Sequence, residues 1–347
     1  MKIIQHTLII LAVAALLPGC TPYEKMNPES YEKASAAADA CIVDVRTPGE
    51  FAEGHLPRAV NCDWKAEDFL QQMEASFDKE TPLFIYCRSG RRSAEAAAAL
   101  AKAGYSVYDL TGGIEGWKAV GKPVTKYEVE RFFTDSGLPV DITLIKHGTL
   151  AIACDGKTIQ IDPVANYGKE TDYATEFPKA DFILITHEHG DHLDAEAITA
   201  LSDEETWVLL NPASRDKLGY GDAASNGEQR RLSENILLEA LPAYNTTPGR
   251  ENFHPKGNGN GYVLTLDGLR IYIAGDTEDI PEMADLTDID VAFLPVNQPY
   301  TMTVAQCVNA AQTLRPRVLI PYHFGKTDLS ALPERLPDID VRLREMQ

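Results

Sequence analysis

The sequence is short of basic residues. Among its 347 residues, 32 are Lys or Arg and 52 are Asp or Glu, so the formal net charge is −20 at pH 7. Nucleic-acid binding and docking on anionic lipid both need a basic face, and the composition therefore argues against both. Hydrophobic residues at 44% and charged residues at 24% are ordinary proportions for globular domains, which excludes wholesale disorder.

Cysteine and long apolar runs are also scarce. Six cysteines in a chain of this length do not make a disulfide scaffold. The sequence leaves open whether Cys41 and Cys62 form a disulfide, which an exported location would permit. After residue 20, no apolar run is long enough to cross a bilayer. The length is enough for about two domains.

The first twenty residues have the pattern of a targeting segment. Leu8 to Leu17 is an apolar run that is too short to span a membrane. It leads into Pro18-Gly19-Cys20, which resembles a bacterial lipobox. The resemblance implies a signal peptide over 1–19, lipidation at Cys20, a tether over 20–27, and a cell-envelope location in which lipid alone holds the protein on the periplasmic or outer side of a membrane. An ordinary secretory signal with an incidental Cys20 is the alternative.

Short apolar strands alternate with helical segments over residues 28–125. Ile42 to Val45 and Leu83 to Tyr86 are strand-like, and Ser93 to Ala103 is an alanine-rich helix that ends at Gly104. Such alternation predicts a parallel sheet.

The chemistry of this domain lies in the loop Cys87-Arg88-Ser89-Gly90-Arg91-Arg92. Backbone N–H groups and the positive end of the following helix favour a thiolate at the strand end. Three arginines add positive potential for an anionic sulfur donor. Cys87 is therefore predicted to be a nucleophile, and the predicted substrate-binding residues are Arg88, Ser89, Gly90, Arg91 and Arg92.

Three motifs over these hundred or so residues resemble the rhodanese family. They are Asp44-Val45-Arg46 with Gly54-His55-Leu56-Pro57, the loop from Cys87 to Ser93, and Gly112-Gly113-Ile114-Glu115-Gly116-Trp117. The resemblance implies that Cys87 takes a sulfane sulfur from a donor such as thiosulfate or a persulfide and passes it to a thiophilic acceptor. The loop has the six-residue length associated with sulfur rather than with phosphate or arsenate. A catalytically silent rhodanese module that serves for docking is the alternative.

The pattern changes over residues 130–347, after a connection predicted over Lys122 to Val140. Two pairs of strand-like segments enclose Asp-Gly turns at Asp155-Gly156 and Asp267-Gly268. Each pair is followed by an aspartate at a strand end, Asp162 or Asp276. This weak internal repeat predicts two similar halves that pack together.

The strongest signal in the chain is Thr186-His187-Glu188-His189-Gly190-Asp191-His192, which follows an apolar strand. Alternate residues of an extended segment share a face, so His187 and His189 are predicted to point together. Gly190 permits a turn that directs Asp191 and His192 toward a neighbouring position. Three imidazoles and a carboxylate this close together predict a metal site, and such donors suit zinc and also iron or manganese.

Additional ligands must come from strand ends elsewhere in the chain. The sequence has eight histidines, of which His254 and His323 remain as candidates, and Asp276 also follows an apolar strand. These side chains suffice for two metals bridged by one carboxylate. His147 and Asp162 are predicted to have structural or supporting roles.

The His-x-His-x-Asp-His core resembles the metallo-β-lactamase superfamily. The glycine-rich stretch from Pro255 to Tyr262 and Ala274-Gly275-Asp276-Thr277 resemble its lactonase and phospholipase-D-like branch. The resemblance implies an αββα sandwich, so the whole chain is predicted to be α/β, with a rhodanese-like parallel-sheet domain before that sandwich. It implies that a first metal is held by His187, His189 and His254, and a second by Asp191, His192 and His323, with Asp276 bridging. Asn245, at the end of the preceding strand, is the rival of His254.

The predicted function is a metal-dependent hydrolase fused to a sulfurtransferase. Two Zn2+ per chain activate water, Asp191 orients it, and the substrate is a small ester, lactone, amide or phosphodiester. A mononuclear-iron persulfide dioxygenase is the alternative from another reaction class, since similar domains are joined in such enzymes. Against it, Thr247-Pro248-Gly249 is followed by Arg250 rather than by the histidine of that branch, and the rhodanese-like domain comes first.

The lipobox predicts that Cys20→Ser releases the protein from the membrane. Because the acyl group is the only anchor that the sequence offers, the variant should lose both membrane fractionation and incorporation of a fatty acid label. Equal membrane association of the two proteins, with no label in the wild type, would refute lipidation.

Overall fold

The computed structural model describes residues 23–37, 40–168 and 170–346, so the predicted signal peptide and Cys20 lie outside the described residues. The chain divides into two compact units, Met1–Lys126 and Tyr127–Gln347. Within the described ranges, no helix combines the length and the apolar character needed to cross a membrane.

The described part of the first unit alternates strands and helices. Its strands are β1 (Glu24–Met26), β2 (Cys41–Asp44), β3 (Val60–Asn61), β4 (Leu83–Tyr86) and β5 (Val107–Leu110). Its helices are α1 (Pro28–Ser35), α2 (Pro48–Ala52), α3 (Phe69–Ser76), α4 (Arg91–Lys102) and α5 (Gly113–Ala119). The strands form one parallel sheet in the order β1-β5-β4-β2-β3, as the alternating pattern predicts.

Two local features of this unit were not predictable from the pattern. Within the predicted tether, Glu24 to Met26 pairs in parallel with β5, with Glu24 opposite Tyr108. This short polar segment becomes a strand because it pairs with the backbone N–H and C=O groups along the edge of β5. Cys62 is a free thiol whose Sγ lies 3.6 Å from Gln72 Oε1, so it is not joined to Cys41.

The second unit contains two sheets. The strands are β6 (Glu128–Phe133), β7 (Pro139–Lys146), β8 (Thr149–Cys154), β9 (Lys157–Ile161), β10 (Phe182–Ile185), β11 (Trp207–Leu210), β12 (Asp222–Ala223), β13 (Gln229–Arg231), β14 (Ile236–Ala243), β15 (Gly259–Leu266), β16 (Leu269–Ile273), β17 (Val291–Pro295), β18 (Val318–Tyr322) and β19 (Asp340–Val341). The helices are α6 (Tyr173–Glu176), α7 (Ala195–Leu201), α8 (Pro212–Leu218), α9 (Val304–Leu314) and α10 (Leu332–Arg335), with a 3-10 turn over Pro281–Asp285. The sheet orders are β12-β11-β10-β9-β8-β7-β6 and β13-β14-β15-β16-β17-β18-β19.

The predicted internal repeat is present in these sheets. The hairpin β8–β9 is antiparallel and continues into the parallel strands β10 and β11. In the other sheet, the antiparallel hairpin β15–β16 continues into the parallel strands β17 and β18. Asp155 and Asp267, which begin the two hairpin turns, both have positive φ, at 50° and 43°. The two halves therefore share one strand pattern.

Apolar side chains arrange the second unit in four layers. One core, which includes Leu184 and Phe293, draws side chains from both sheets. Ile198 of α7 belongs to a cluster on the outer face of the first sheet, and Ala311 of α9 belongs to one on the outer face of the second. This helix–sheet–sheet–helix arrangement is the predicted αββα sandwich, and it leaves the strand ends free to carry polar groups.

One boundary differs from the prediction. The segment from Lys122 to Val140, predicted as a connection, contains β6, which pairs antiparallel with β7. Its burial is partial along most of its length, because it is an edge strand with few inward positions. Charged residues on both faces, Glu128 and Glu130 on one and Arg131 on the other, hide the strand pattern in the sequence.

Candidate metal centre and cysteine loop

The predicted metal ligands lie at strand ends of both sheets in the second unit. His187 lies two residues after β10, Asp276 lies three residues after β16, and His323 directly follows β18. Parallel strands have their carboxyl ends at the same edge of a sheet, so β16 and β18 bring Asp276 and His323 together. His187 meets them from the other sheet, with its Nε2 3.8 Å from Asp276 Oδ2. His254 comes from the loop between β14 and β15.

Asp276 is the centre of the cluster. Its Oδ2 lies 3.2 Å from His254 Nε2 and 3.2 Å from His323 Nε2. Its Oδ1 lies 3.4 Å from His192 Nε2. Burial raises the pKa of Asp276, but the surrounding imidazoles, His323 first, hold it well below its usual range. The group is thus a buried carboxylate with histidine nitrogens on several sides.

Several of these buried atoms have no hydrogen-bond partner among the described residues. They are His192 Nε2, His254 Nε2, His323 Nε2 and Asp276 Oδ1. Buried polar atoms without partners are rare, and their convergence is the arrangement that a bound metal requires. The donor atoms fall into three groups whose members lie within 4.8 Å of one another: His187, His189 and His254; His147, Asp191, His192 and His323; and His187, His192 and Asp276. The residues fit a metal centre, with Asp276 beside ligands of both predicted triads.

Asp162 fixes the orientation of His192. Its Oδ2 lies 2.7 Å from His192 Nδ1 and accepts a hydrogen bond from the Thr186 hydroxyl at 2.6 Å, while its Oδ1 accepts from the Thr186 backbone N–H at 2.7 Å. Burial lowers the pKa of His192, but Asp276 and Asp162 raise it to about 10. Because the carboxylate of Asp162 holds Nδ1, the other ring nitrogen, Nε2, points at the cluster. Histidines that bind metals are usually oriented in this way, by a hydrogen bond at the nitrogen that does not face the metal.

Asn245 lies beside Nδ1 of His254, on the side of the ring away from the cluster. His254 Nδ1 lies 3.3 Å from Asn245 Oδ1 and 3.1 Å from the Tyr300 carbonyl oxygen. The Asn245 amide donates to that same carbonyl at 2.7 Å. His254 Nε2 faces the cluster, 3.2 Å from Asp276 Oδ2, whereas the side-chain oxygen of Asn245 faces the opposite side of the ring, at Nδ1. The geometry therefore favours His254 as the ligand and Asn245 as its orienting partner.

His147 lies at the edge of the cluster. Its Nε2 is 3.3 Å from Asp191 Oδ2, and its ring centroid is 3.7 Å from that of His323. Burial lowers the pKa of His147 to about 4. Its position in the β7–β8 turn gives no motif, because its neighbours in the cluster are distant in sequence. His147, Asp162 and His323 all have positive φ, between 43° and 45°, a strain typical of functional sites.

The predicted cysteine loop of the first unit joins β4 to α4. Cys87 is 1% exposed, and the Gly90 N–H donates to its Sγ at 3.2 Å. Gly90 caps α4 with φ of 90°, a conformation that favours glycine. The thiol therefore lies beside a backbone donor at the start of a helix.

The closing glycine motif holds this loop in place. The Ile114 N–H donates to the Cys87 carbonyl at 2.9 Å, and the Glu115 N–H donates to the Arg88 carbonyl at 3.1 Å. Gly113 has φ of 57°, and a Cβ there would lie 2.3 Å from the Cys87 carbonyl oxygen. Only glycine fits this contact, which explains why the motif accompanies the loop.

The arginines of the loop differ in their electrostatic surroundings. Arg92 pairs with Glu50 through two hydrogen bonds of 2.7 and 2.6 Å, which lower the pKa of Glu50 to about 2. Arg88 pairs with Glu115 at 2.7 Å on the surface. Arg91 is exposed and makes no ion pair with the described residues. Two predicted substrate-binding arginines thus already have carboxylate partners.

Comparison with known proteins places both units in families. The family model described as "Beta-lactamase superfamily domain" matches residues 141–323, and the model described as "Rhodanese-like domain" matches residues 27–120. The chain therefore belongs to the metallo-β-lactamase superfamily, with a rhodanese-like domain ahead of the superfamily domain.

Several proteins that are similar to this chain have names that describe a metal-dependent hydrolase. A UPF0173 metal-dependent hydrolase of Pyrococcus horikoshii is 32% identical over 204 residues, which cover 56% of this chain and 89% of that protein. A solved structure from Parabacteroides distasonis, described as a candidate metal-dependent hydrolase, is 54% identical, with a TM-score of 0.62 over 64% of this chain and 100% of that one. Igni18, a metallo hydrolase of Ignicoccus hospitalis, is 26% identical, with a TM-score of 0.52 over 60% of this chain and 95% of that one.

Metal analysis of two variants separates the rival ligands. His254→Ala should lose one bound metal, because it removes a ligand atom. Asn245→Ala should keep the wild-type metal stoichiometry, while its affinity for the metal falls by about 10–100-fold. This is the usual effect of removing a residue that hydrogen-bonds a metal ligand. Metal loss in Asn245→Ala together with full retention in His254→Ala would reverse the assignment.

Proposed function

We propose that the second unit is a dinuclear zinc hydrolase and that the first is a sulfurtransferase with Cys87 as nucleophile. The observation that supports the hydrolase most strongly is the set of buried, partnerless donor atoms around Asp276. Seven predicted ligands lie in this one cluster, which suits two ions better than one. The names of the relatives support the same reaction class.

The residues have separate roles in this proposal. His187, His189 and His254 would hold one ion, Asp191, His192 and His323 would hold the other, and Asp276 would serve both. When bound, zinc activates water as a nucleophile and polarises the attacked oxygen of the substrate.

Asp191, held in position by His147, orients the attacking water. Burial raises the pKa of Asp191, but the neighbouring imidazoles of His147, His323 and His192 lower it strongly. The ionised carboxylate can accept a hydrogen bond from water, and His147 holds it in position from behind. His147 is thus a positioning residue in this scheme.

The substrate belongs to the ester, lactone, amide or phosphodiester classes. The chain's glycine-rich stretch and its Ala274-Gly275-Asp276-Thr277 motif support a place in the lactonase and phospholipase-D-like branch. A fold alone does not choose among these substrates, since substrate choice depends on the loops.

The metal content of the purified protein tests the hydrolase. We expect about two zinc ions per chain, and loss of both zinc and hydrolysis on treatment with a chelator, with recovery when zinc is restored. A protein with one iron per chain that consumes oxygen with glutathione persulfide would instead be a persulfide dioxygenase.

The position of Cys87 supports a sulfur-transfer reaction in two steps. Its thiolate attacks the outer sulfur of thiosulfate, the S–S bond breaks, and sulfite leaves with the electron pair. The resulting persulfide passes its outer sulfur to an acceptor such as cyanide, which forms thiocyanate and regenerates the thiolate. The Gly90 N–H beside Sγ can stabilise the anionic sulfur in both states.

A thiosulfate-to-cyanide assay tests this role. Cys87→Ser should lose sulfur transfer because serine cannot form the persulfide. Cys62→Ser is the matched control, since it removes another buried thiol of the same unit, and it should retain the rate. Equal rates for Cys87→Ser and the wild type would leave the unit as a docking module.

The lipid anchor is the third part of the proposal. The first strand begins at Glu24, four residues after Cys20. Four extended residues reach about 14 Å. An acyl group on Cys20 would therefore keep the first unit close to the membrane surface, in the cell envelope.

A further inference from the structure

Aromatic side chains gather at the mouth of the candidate metal centre. A cavity of about 300 Å³ opens onto His189, Asp191, His254, Asp276 and His323. Tyr167, Phe253 and Tyr300 line the same cavity. Their exposed fractions are 41%, 36% and 47%, and they are three of the nine large hydrophobic residues that are exposed in the described chain. We call these three residues the aromatic rim.

The residues of the aromatic rim contact the side chains of the metal cluster. Phe253 directly precedes His254, and its ring contacts that of Tyr300 edge-on at 5.1 Å. The Tyr300 carbonyl lies 3.1 Å from His254 Nδ1. On the other side, the Tyr167 ring lies 4.4 Å from the ring of His147. Phe253 and Tyr300 therefore lie against the predicted ligand His254, and Tyr167 lies against His147, which contacts Asp191 and His323.

The charge of the lining limits what can bind there. No Lys or Arg lines the cavity in the part of the chain that the structure describes. Asn297 also lines it, and its carboxamide makes no hydrogen bond with the described residues. Apart from the site's own carboxylates and imidazoles, the described lining therefore offers an uncharged carboxamide and aromatic surface, and no lysine or arginine that could pair with an anionic substrate.

Exposed aromatic surface concentrated at a cleft marks a binding site for apolar groups. We infer that the aromatic rim makes the centre selective for an uncharged ester or lactone that carries an aromatic or short alkyl group. That group packs against Phe253, Tyr300 and Tyr167, while the Asn297 carboxamide hydrogen-bonds a substrate oxygen. This inference rests on the proposed hydrolase and names its substrate class.

Binding of hydroxamates to the zinc-loaded full chain tests the rim without turnover. Acetohydroxamate and benzohydroxamate share a metal-binding group and differ in apolar area. Calorimetry should show about tenfold or more tighter binding of benzohydroxamate, because its ring is buried on the rim. Phe253→Ala and Tyr300→Ala should reduce this ratio to about threefold or less.

Tyr220→Ala is the matched control, since Tyr220 is 45% exposed but lies outside the cavity. It should keep the wild-type ratio. Equal affinities for the two hydroxamates in the wild type, or an unchanged ratio in both rim variants, would overturn the inference.

A substrate comparison separates this inference from the proposed function. The zinc-loaded chain should hydrolyse 4-nitrophenyl butyrate with a higher kcat/KM than bis(4-nitrophenyl) phosphate, which is anionic. Preference for the phosphodiester would overturn the inference and leave the hydrolase standing. A chain that binds no zinc and hydrolyses neither compound would overturn both.

Discussion

A buried carboxylate surrounded by imidazoles is the constraint around which the second unit is arranged. Asp276 is 4% exposed, and His192, His254 and His323 each direct an Nε2 atom toward it. Burying an ionised group is costly unless opposite charge and ligand bonds compensate. The ring nitrogens lack other partners, so protein hydrogen bonds alone do not satisfy the cluster. A bound metal would offset the free-energy cost of burying Asp276, and the strand ends of the two sheets provide most of the side chains that would hold it.

The sequence predicted the parts of this centre that are local. His187, His189, Asp191 and His192 lie within six residues, and the preceding apolar strand fixes their directions. Asp276 and His323 were recognisable because each follows an apolar run at a strand end. The repeated Asp-Gly hairpins likewise predicted the two matching sheets, since turn chemistry is encoded by adjacent residues.

Features that depend on distant contacts were not predictable in the same way. His147 meets Asp191 through a pairing of two turns that are 44 residues apart in the chain. The aromatic rim joins three loops, and none of them has a motif. In the first unit, β1 is a strand only because β5 offers it an edge, and the charge of Arg92 is offset by Glu50, 42 residues away. Such effects belong to the packed structure and leave no local pattern.

Anomalous diffraction at the zinc absorption edge, from crystals of the purified full chain, tests the central claim most directly. The account predicts two peaks in one cluster: one beside His187, His189 and His254, and another beside Asp191, His192 and His323, with Asp276 between them. A single peak, or none at these residues, would contradict a dinuclear zinc centre.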